Sequence, residues 1–289
     1  MTPQSQVPVD LLNPGQVFAC LGLMEMTEVL CGPCEGEFAC HGRDPMAEFR
    51  FRADDEPLAA VLDFLCETEL CALAPRGSRL VAKEPGITTQ VRADAFFPSP
   101  APDSPSALPI RLNHGGASVS VEHWADGSTR DNVKFWAGAG GYSGAALARD
   151  ALEAIRGLSE ERWVEARRAP FDIGVPMSSS FRFDWRRDYV PLDLGFSINE
   201  HSGTIQSTGY PFVELLAAIG LEFARPVRVS PRSKLAYRYG VWHVPLPTLL
   251  ARPVLGGASP GVQIRRFRLR LDWPGQENQA RCIVDVQEE

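Results

Sequence analysis

The stretch Val262-Gln-Ile-Arg-Arg-Phe-Arg-Leu-Arg-Leu-Asp-Trp273 alternates charge and bulk with a period of two. In an extended chain Arg266, Arg268 and Arg270 fall on one face and Phe267, Leu269 and Leu271 on the other. A second apolar stretch, Ala280 to Val286, follows across Pro274-Gly275-Gln276-Glu277-Asn278. The two predict a hairpin with one apolar face and one charged face.

Working back from this hairpin, Leu235–Val244 reads as another strand. Pro211–Phe223 (PFVELLAAIGLEF) reads as an amphipathic helix with proline in its first turn. Phe181–Val190 begins as a strand, with Phe181, Phe183 and Trp185 on one face. A helix is predicted over Gly144–Arg156 and a short strand over Val133–Trp136. Ile110–Leu112 and Ser118–Trp124 are strands around an Asn113-His114-Gly115-Gly116 turn. Pro57–Ala72 is a helix with Leu58, Val61, Leu62 and Leu65 on one face, and Ala47–Ala53 alternates as a strand. Near the start, Asn13-Pro14-Gly15 opens a helix that runs to about Leu30 and stops at Gly32-Pro33. Strands mostly neighbour strands, and helices intervene irregularly. The fold class is therefore α+β, a mainly antiparallel sheet with several packed amphipathic helices.

Phe97–Pro109 holds five prolines in thirteen residues and excludes helix or central strand. It is a loop or linker between an acidic α+β region, 1–96, and a second α+β region, 110–289, or an insertion in a single domain. The charge supports the contrast. Residues 1–164 carry 13 basic and 23 acidic side chains, whereas 165–289 carry 16 basic and 13 acidic. Phe223–Arg270 has ten Lys or Arg and no Asp or Glu, although the whole chain has a net charge of −7. A basic block in an acidic chain points to a polyanion or to an acidic protein surface.

No apolar run reaches the roughly 18–20 residues of a membrane helix, and the first residues lack a secretory signature. The expected location is the cytoplasm, with no membrane partner. Seven cysteines without a signal argue against a disulfide framework. Cys31-x-x-Cys34 and Cys40-His41, with Cys20, Cys66 or Cys71, offer a partial zinc pattern. In the alternative reading Cys20, Cys66 and Cys71 pack as small hydrophobes, and Cys31, Cys34 and Cys40 lie in a loop. No metal or cofactor is assigned.

The candidate nucleic-acid-binding residues are Arg225, Arg228, Arg232, Lys234 and Arg238, the strand trio Arg266, Arg268 and Arg270, and Lys134. At about 3.3 Å rise per residue the trio stands roughly 7 Å apart, a spacing suited to successive phosphates. Guanidinium forks bind phosphate oxygens through two donors. Tyr237, Tyr239 and Trp242 are either stacking partners for bases or core. Lys134 opens a glycine-rich segment, Lys134–Gly144, that matches neither a P-loop nor a dinucleotide fingerprint. His114, His123, Asp126 and His201 have no nucleophile elbow or paired carboxylate beside them, so no catalytic residue is assigned.

Four segments carry a resemblance: Val7-Pro-Val-Asp-Leu-Leu-Asn-Pro-Gly-Gln-Val-Phe-Ala-Cys-Leu-Gly22, Lys134-Phe-Trp-Ala-Gly138, Ser180-Phe-Arg-Phe-Asp-Trp185 and the Pro211–Pro226 helix. Through them the chain resembles an accessory subunit of the type I-G CRISPR effector, a subtype formerly called I-U and also Dpsyc. That family is Csb-three-like and related to the large Cas-eight subunit. The resemblance implies a non-enzymatic place in an RNA-guided surveillance complex, with CRISPR RNA or target DNA and other effector subunits as partners. In such complexes base pairing reads sequence while protein grips backbones. A protein-only scaffold, or a histidine-dependent nuclease or RNA-processing enzyme, are the alternatives.

Overall fold

The computed structural model describes residues 3–92, 105–125, 143–177, 179–188, 207–233, 235–272 and 281–289. In chain order the elements are β1 (Gln4–Asp10), α1 (Pro14–Cys31), β2 (Glu35–Cys40), β3 (Met46–Arg52), α2 (Pro57–Glu67), β4 (Glu69–Pro75), β5 (Thr88–Arg92), β6 (Ile110–His114) and β7 (Ala117–Val121). They continue as α3 (Gly144–Arg156), α4 (Glu160–Ala166), β8 (Val175–Pro176), β9 (Thr208–Gly209), α5 (Pro211–Phe223), β10 (Val227–Arg228), β11 (Ala236–Trp242), β12 (Leu246–Pro247), α6 (Thr248–Leu255), β13 (Ile264–Asp272) and β14 (Cys282–Glu288). The class is α+β, with every strand pairing antiparallel except β4 with β5.

Two helices organise the core. Every residue of α1 from Pro14 to Thr27 is buried, as is every residue of α5 from Pro211 to Leu221. A helix apolar on all sides belongs inside a protein, and α5 is wrapped rather than amphipathic. The two helices meet backbone to backbone at a pair of glycines. A Cβ on Gly22 would collide with the Leu216 carbonyl oxygen, and one on Gly220 with the Phe18 carbonyl oxygen. Only glycine permits so close an approach.

Three four-stranded sheets surround this pair. Their orders are β1-β3-β2-β12, β5-β4-β6-β7 and β10-β11-β13-β14, and β8 with β9 forms a further two-stranded ladder. One cluster of buried apolar side chains runs from Val7 to Ile283 and includes residues on both sides of the proline-rich segment. Polar links cross it too. The Tyr239 hydroxyl donates to the Leu11 carbonyl at 2.7 Å, and the Trp242 indole N–H donates to the Gly36 carbonyl at 2.7 Å. Glu25 of α1 accepts both forks of Arg252 of α6 at 2.7 Å each.

The Gly115–Gly116 pair turns the β6–β7 hairpin with both φ angles positive (59° and 86°), the backbone a two-residue primed turn requires. Two expectations are corrected. The second helix ends at Glu67, and Glu69–Pro75 is strand β4, which pairs with both β5 and β6. Phe181–Asp184 is not a strand. Arg182 takes φ 66°, and the Phe183 and Asp184 N–H groups donate to the buried Glu214 carboxylate at 3.2 Å each instead of to a neighbouring strand. Buried Asp184 in turn accepts from Asn13 Nδ2 at 3.0 Å and from Arg186 Nη2 at 2.6 Å. The strand expected at Val133–Trp136, the glycine-rich segment as far as Tyr142, and most of the proline-rich segment lie outside the described residues.

Candidate nucleic-acid interface

β13 keeps the alternation its sequence dictates. Phe267, Leu269 and Leu271 are buried, and Arg266, Arg268 and Arg270 are exposed on the opposite face. The strand lies between β11 and β14, so the arginine face belongs to an open sheet with neighbours on both sides. In register, Arg238 of β11 stands opposite Arg268, Ala236 opposite Arg270 and Gly240 opposite Arg266. Side chains directly opposite in an antiparallel pair share a face. Arg238, Arg266, Arg268 and Arg270 therefore form one cluster, in which two like charges directly oppose each other.

Acidic groups on the same face temper it. Arg238 donates through Nη2 to Glu289 Oε1 at 2.9 Å, and its Nε also reaches that carboxylate. Arg270 pairs with Asp272 at 2.7 Å, and Asp285 stands opposite Arg270. Arg266 and Arg268 enter no ion pair among the described residues.

The remaining described candidates, Arg225, Arg228 and Arg232, lie off strands β11 and β13. Arg228 stands opposite Tyr237 in the ladder and is hydrogen-bonded to it, which puts Arg228 on the core side of the sheet. Arg225 is half-buried, and its charge acts on Glu222 and on His123. Arg232 is exposed in the turn closed by Ser230 and Ser233. Lys234 and Lys134 lie outside the described residues. The aromatic residues offer no stacking platform: Tyr237, Tyr239 and Trp242 are fully buried. Tyr239 stacks on Phe267 with ring centroids 5.3 Å apart, and Trp242 meets Phe38 edge-on at 5.0 Å.

Arg265, outside the alternating trio, turns inward. Its side chain is 11% exposed and donates to the carbonyls of Arg43 and Asp44 at 3.1 and 2.9 Å, to Cys40 Sγ at 3.5 Å and to Glu288 at 2.7 and 2.9 Å. It fastens the arginine-faced sheet to the loop between β2 and β3. Glu288 at the end of β14 and Glu289 just beyond it, which hold Arg265 and Arg238, lie past Val286, where the apolar pattern of the expected hairpin ends. Neither pair is in register: Glu288 stands opposite Phe267, and β13 lies between Arg238 and the chain that carries Glu289, so no local pattern signals either contact.

The histidines do not converge. His114 sits at the turn end of the β6–β7 hairpin and His123 follows its other end, roughly 15–20 Å away along the strands. His123 is buried, and burial, reinforced by the Arg225 charge, pulls its imidazole down to about 3. Asp126 and His201 are outside the described residues. Cys31 and Cys34 lie close enough to act on each other, but Cys40 is apart. All seven cysteines are free thiols, and the length of β2 separates Cys34 from Cys40 by roughly 20 Å. Burial pushes the Cys34 thiol up to about 12. Among the described residues no group of three His, Cys, Asp or Glu could hold a metal ion, and no helix is long and apolar enough to cross a membrane. No family model, curated protein or solved structure matches this chain.

Proposed function

We propose that this chain is a non-catalytic protein subunit of a type I CRISPR RNA-guided surveillance complex, working in the cytoplasm. Its arginine face contacts the backbone of guide RNA or target DNA, and its acidic N-terminal portion contacts neighbouring subunits. The observation that carries the reading is the cluster of Arg238, Arg266, Arg268 and Arg270 on one face of an open sheet. Two of its members have no ion pair among the described residues. Phosphate contacts need forked donors at strand spacing and no catalytic group.

Co-purification tests the assignment. The tagged chain is expressed with and without its neighbouring genes, and bound proteins and short RNA are identified. Recovery of a ribonucleoprotein containing the chain is expected, whereas a stable chain that joins no complex rejects the assignment. Reversing Arg266, Arg268 and Arg270 to glutamate tests the face. Target binding should drop at least tenfold while stability changes by no more than about 1.5 kcal/mol, at about 0.5 kcal/mol for each of the three exposed positions. Unchanged target binding would leave a protein-only scaffold. A scaffold also lacks the steep weakening with salt that phosphate contacts impose.

A further inference from the structure

Within the arginine face, the Glu289 carboxylate is bound by Arg238 through both forks. The Glu289 backbone N–H donates to the Arg266 carbonyl at 2.9 Å, which seats the residue beside β13. Arg238 above all, and then the fields of Arg268 and Arg266, hold its carboxyl below the usual carboxylate range. Three guanidinium groups from two strands thus act on a single oxyanion. A carboxylate and a phosphate present the same pair of oxygens to an arginine fork.

We propose that Glu289 is an internal competitor for this anion site: its carboxylate occupies the position a backbone phosphate takes when nucleic acid binds, and nucleic acid must displace it. The inference rests on the nucleic-acid reading of the face and adds its regulation. The Arg238–Glu289 pair is about 30% exposed on both sides, and ion pairs at that exposure exchange readily. The residue also lies one position beyond β14, so swinging its side chain away breaks no strand ladder. The neighbouring Arg265–Glu288 pair differs, because two carbonyls and Cys40 hold Arg265 inward. Arg238, by contrast, is held by no backbone carbonyl among the described residues and can turn toward a ligand.

The test is binding of the full-length chain to a fluorescent single-stranded RNA of about 20 nucleotides, the length of a guide segment, at several salt concentrations. Four proteins are compared: the unmodified chain, Glu289→Gln, Arg266→Gln/Arg268→Gln, and Glu165→Gln, which removes the same charge from exposed helix α4. Glu289→Gln is expected to bind at least threefold tighter. Its log–log salt slope should steepen by about 0.7, the contribution of one more single-strand phosphate. Glu165→Gln should stay within about 1.5-fold of the unmodified chain, and the double arginine variant should lose at least tenfold. If the double variant loses binding but Glu289→Gln matches the unmodified chain or Glu165→Gln, the competition is overturned and the interface stands. If no protein binds either this RNA or single-stranded DNA of the same length in a salt-sensitive way, the nucleic-acid reading falls, and the competition with it.

Discussion

His123 shows how burial decides what a side chain can do. Its Nε2 has no hydrogen-bond partner among the described residues, and its ring packs against Trp124 and Phe183 at centroid distances of 5.0 and 6.3 Å. An imidazole lowered to about 3 stays neutral across the physiological range, which makes it a packing group. The unfolded chain takes up this proton near 6.5, well before the folded one. Its contribution to stability is therefore complete above about pH 6.5 and is lost as pH falls through the window down to about 3. Between pH 7 and pH 5 the loss is about 2 kcal/mol, at 1.36 kcal/mol per unit. Burial raises the carboxyls of Glu25 and Glu222, and those groups act in the opposite direction. The comparison is therefore between the unmodified chain and His123→Phe by urea unfolding at both pH values. Equal losses in the two proteins would remove His123 as the source. Asp184 gives a second residue-scale expectation. Asp184→Ala strips Asn13 and Arg186 of an acceptor inside the core and should cost about 2–3 kcal/mol, since hydrogen bonds to a charged group are the strong ones. An unchanged urea midpoint would mean that the cluster around Asp184 contributes nothing to stability. None of this was legible in the sequence. The alternation of β13 announced where the arginines point, but nothing local announced that Glu214 would collect the N–H groups of Phe183 and Asp184, 31 and 30 residues away.

Elements were legible where local chemistry and tertiary demand agree. Pro211 in the first turn of α5, Pro14 in that of α1, and the Ser143 side chain accepting the Ala146 N–H at 3.0 Å at the start of α3 all mark true helix starts. Legibility failed where tertiary pairing overruled a local pattern. Glu69–Pro75 continued an apolar run that suited a helix, yet two partner strands claimed it. Phe181 and Phe183 alternate like a strand, yet their segment is fastened to a helix instead. The α1–α5 crossing gives the element-scale prediction. Gly→Ala inside a helix normally stabilises by up to about 1 kcal/mol. At Gly22 or Gly220 the sign should reverse, because the added methyl meets a backbone carbonyl that cannot rotate away. Each substitution should cost at least about 1–3 kcal/mol and lower the melting midpoint by several degrees. A midpoint equal to or above that of the unmodified chain would show that the helices can separate without penalty.

At the scale of the molecule, the charge contrast between the two portions coexists with a shared interior. α5, from the basic portion, packs along α1, from the acidic one, and Arg252 reaches back to Glu25. Residues 1–96 and 110–289 made separately should each lack a partner for a helix buried on all sides and remain unfolded or aggregated. A cooperative thermal transition from either fragment alone would contradict this. The packing of α1 against α5 also has a consequence in time. α1 is complete by Cys31, but α5 begins only at Pro211. A ribosome adding about 5–20 residues per second needs roughly 10–40 s to cover that interval. Throughout it, the largely apolar surface of α1 waits for its cover while the nascent chain lengthens. Apolar surface left exposed for that long is an aggregation hazard of the kind chaperones counter.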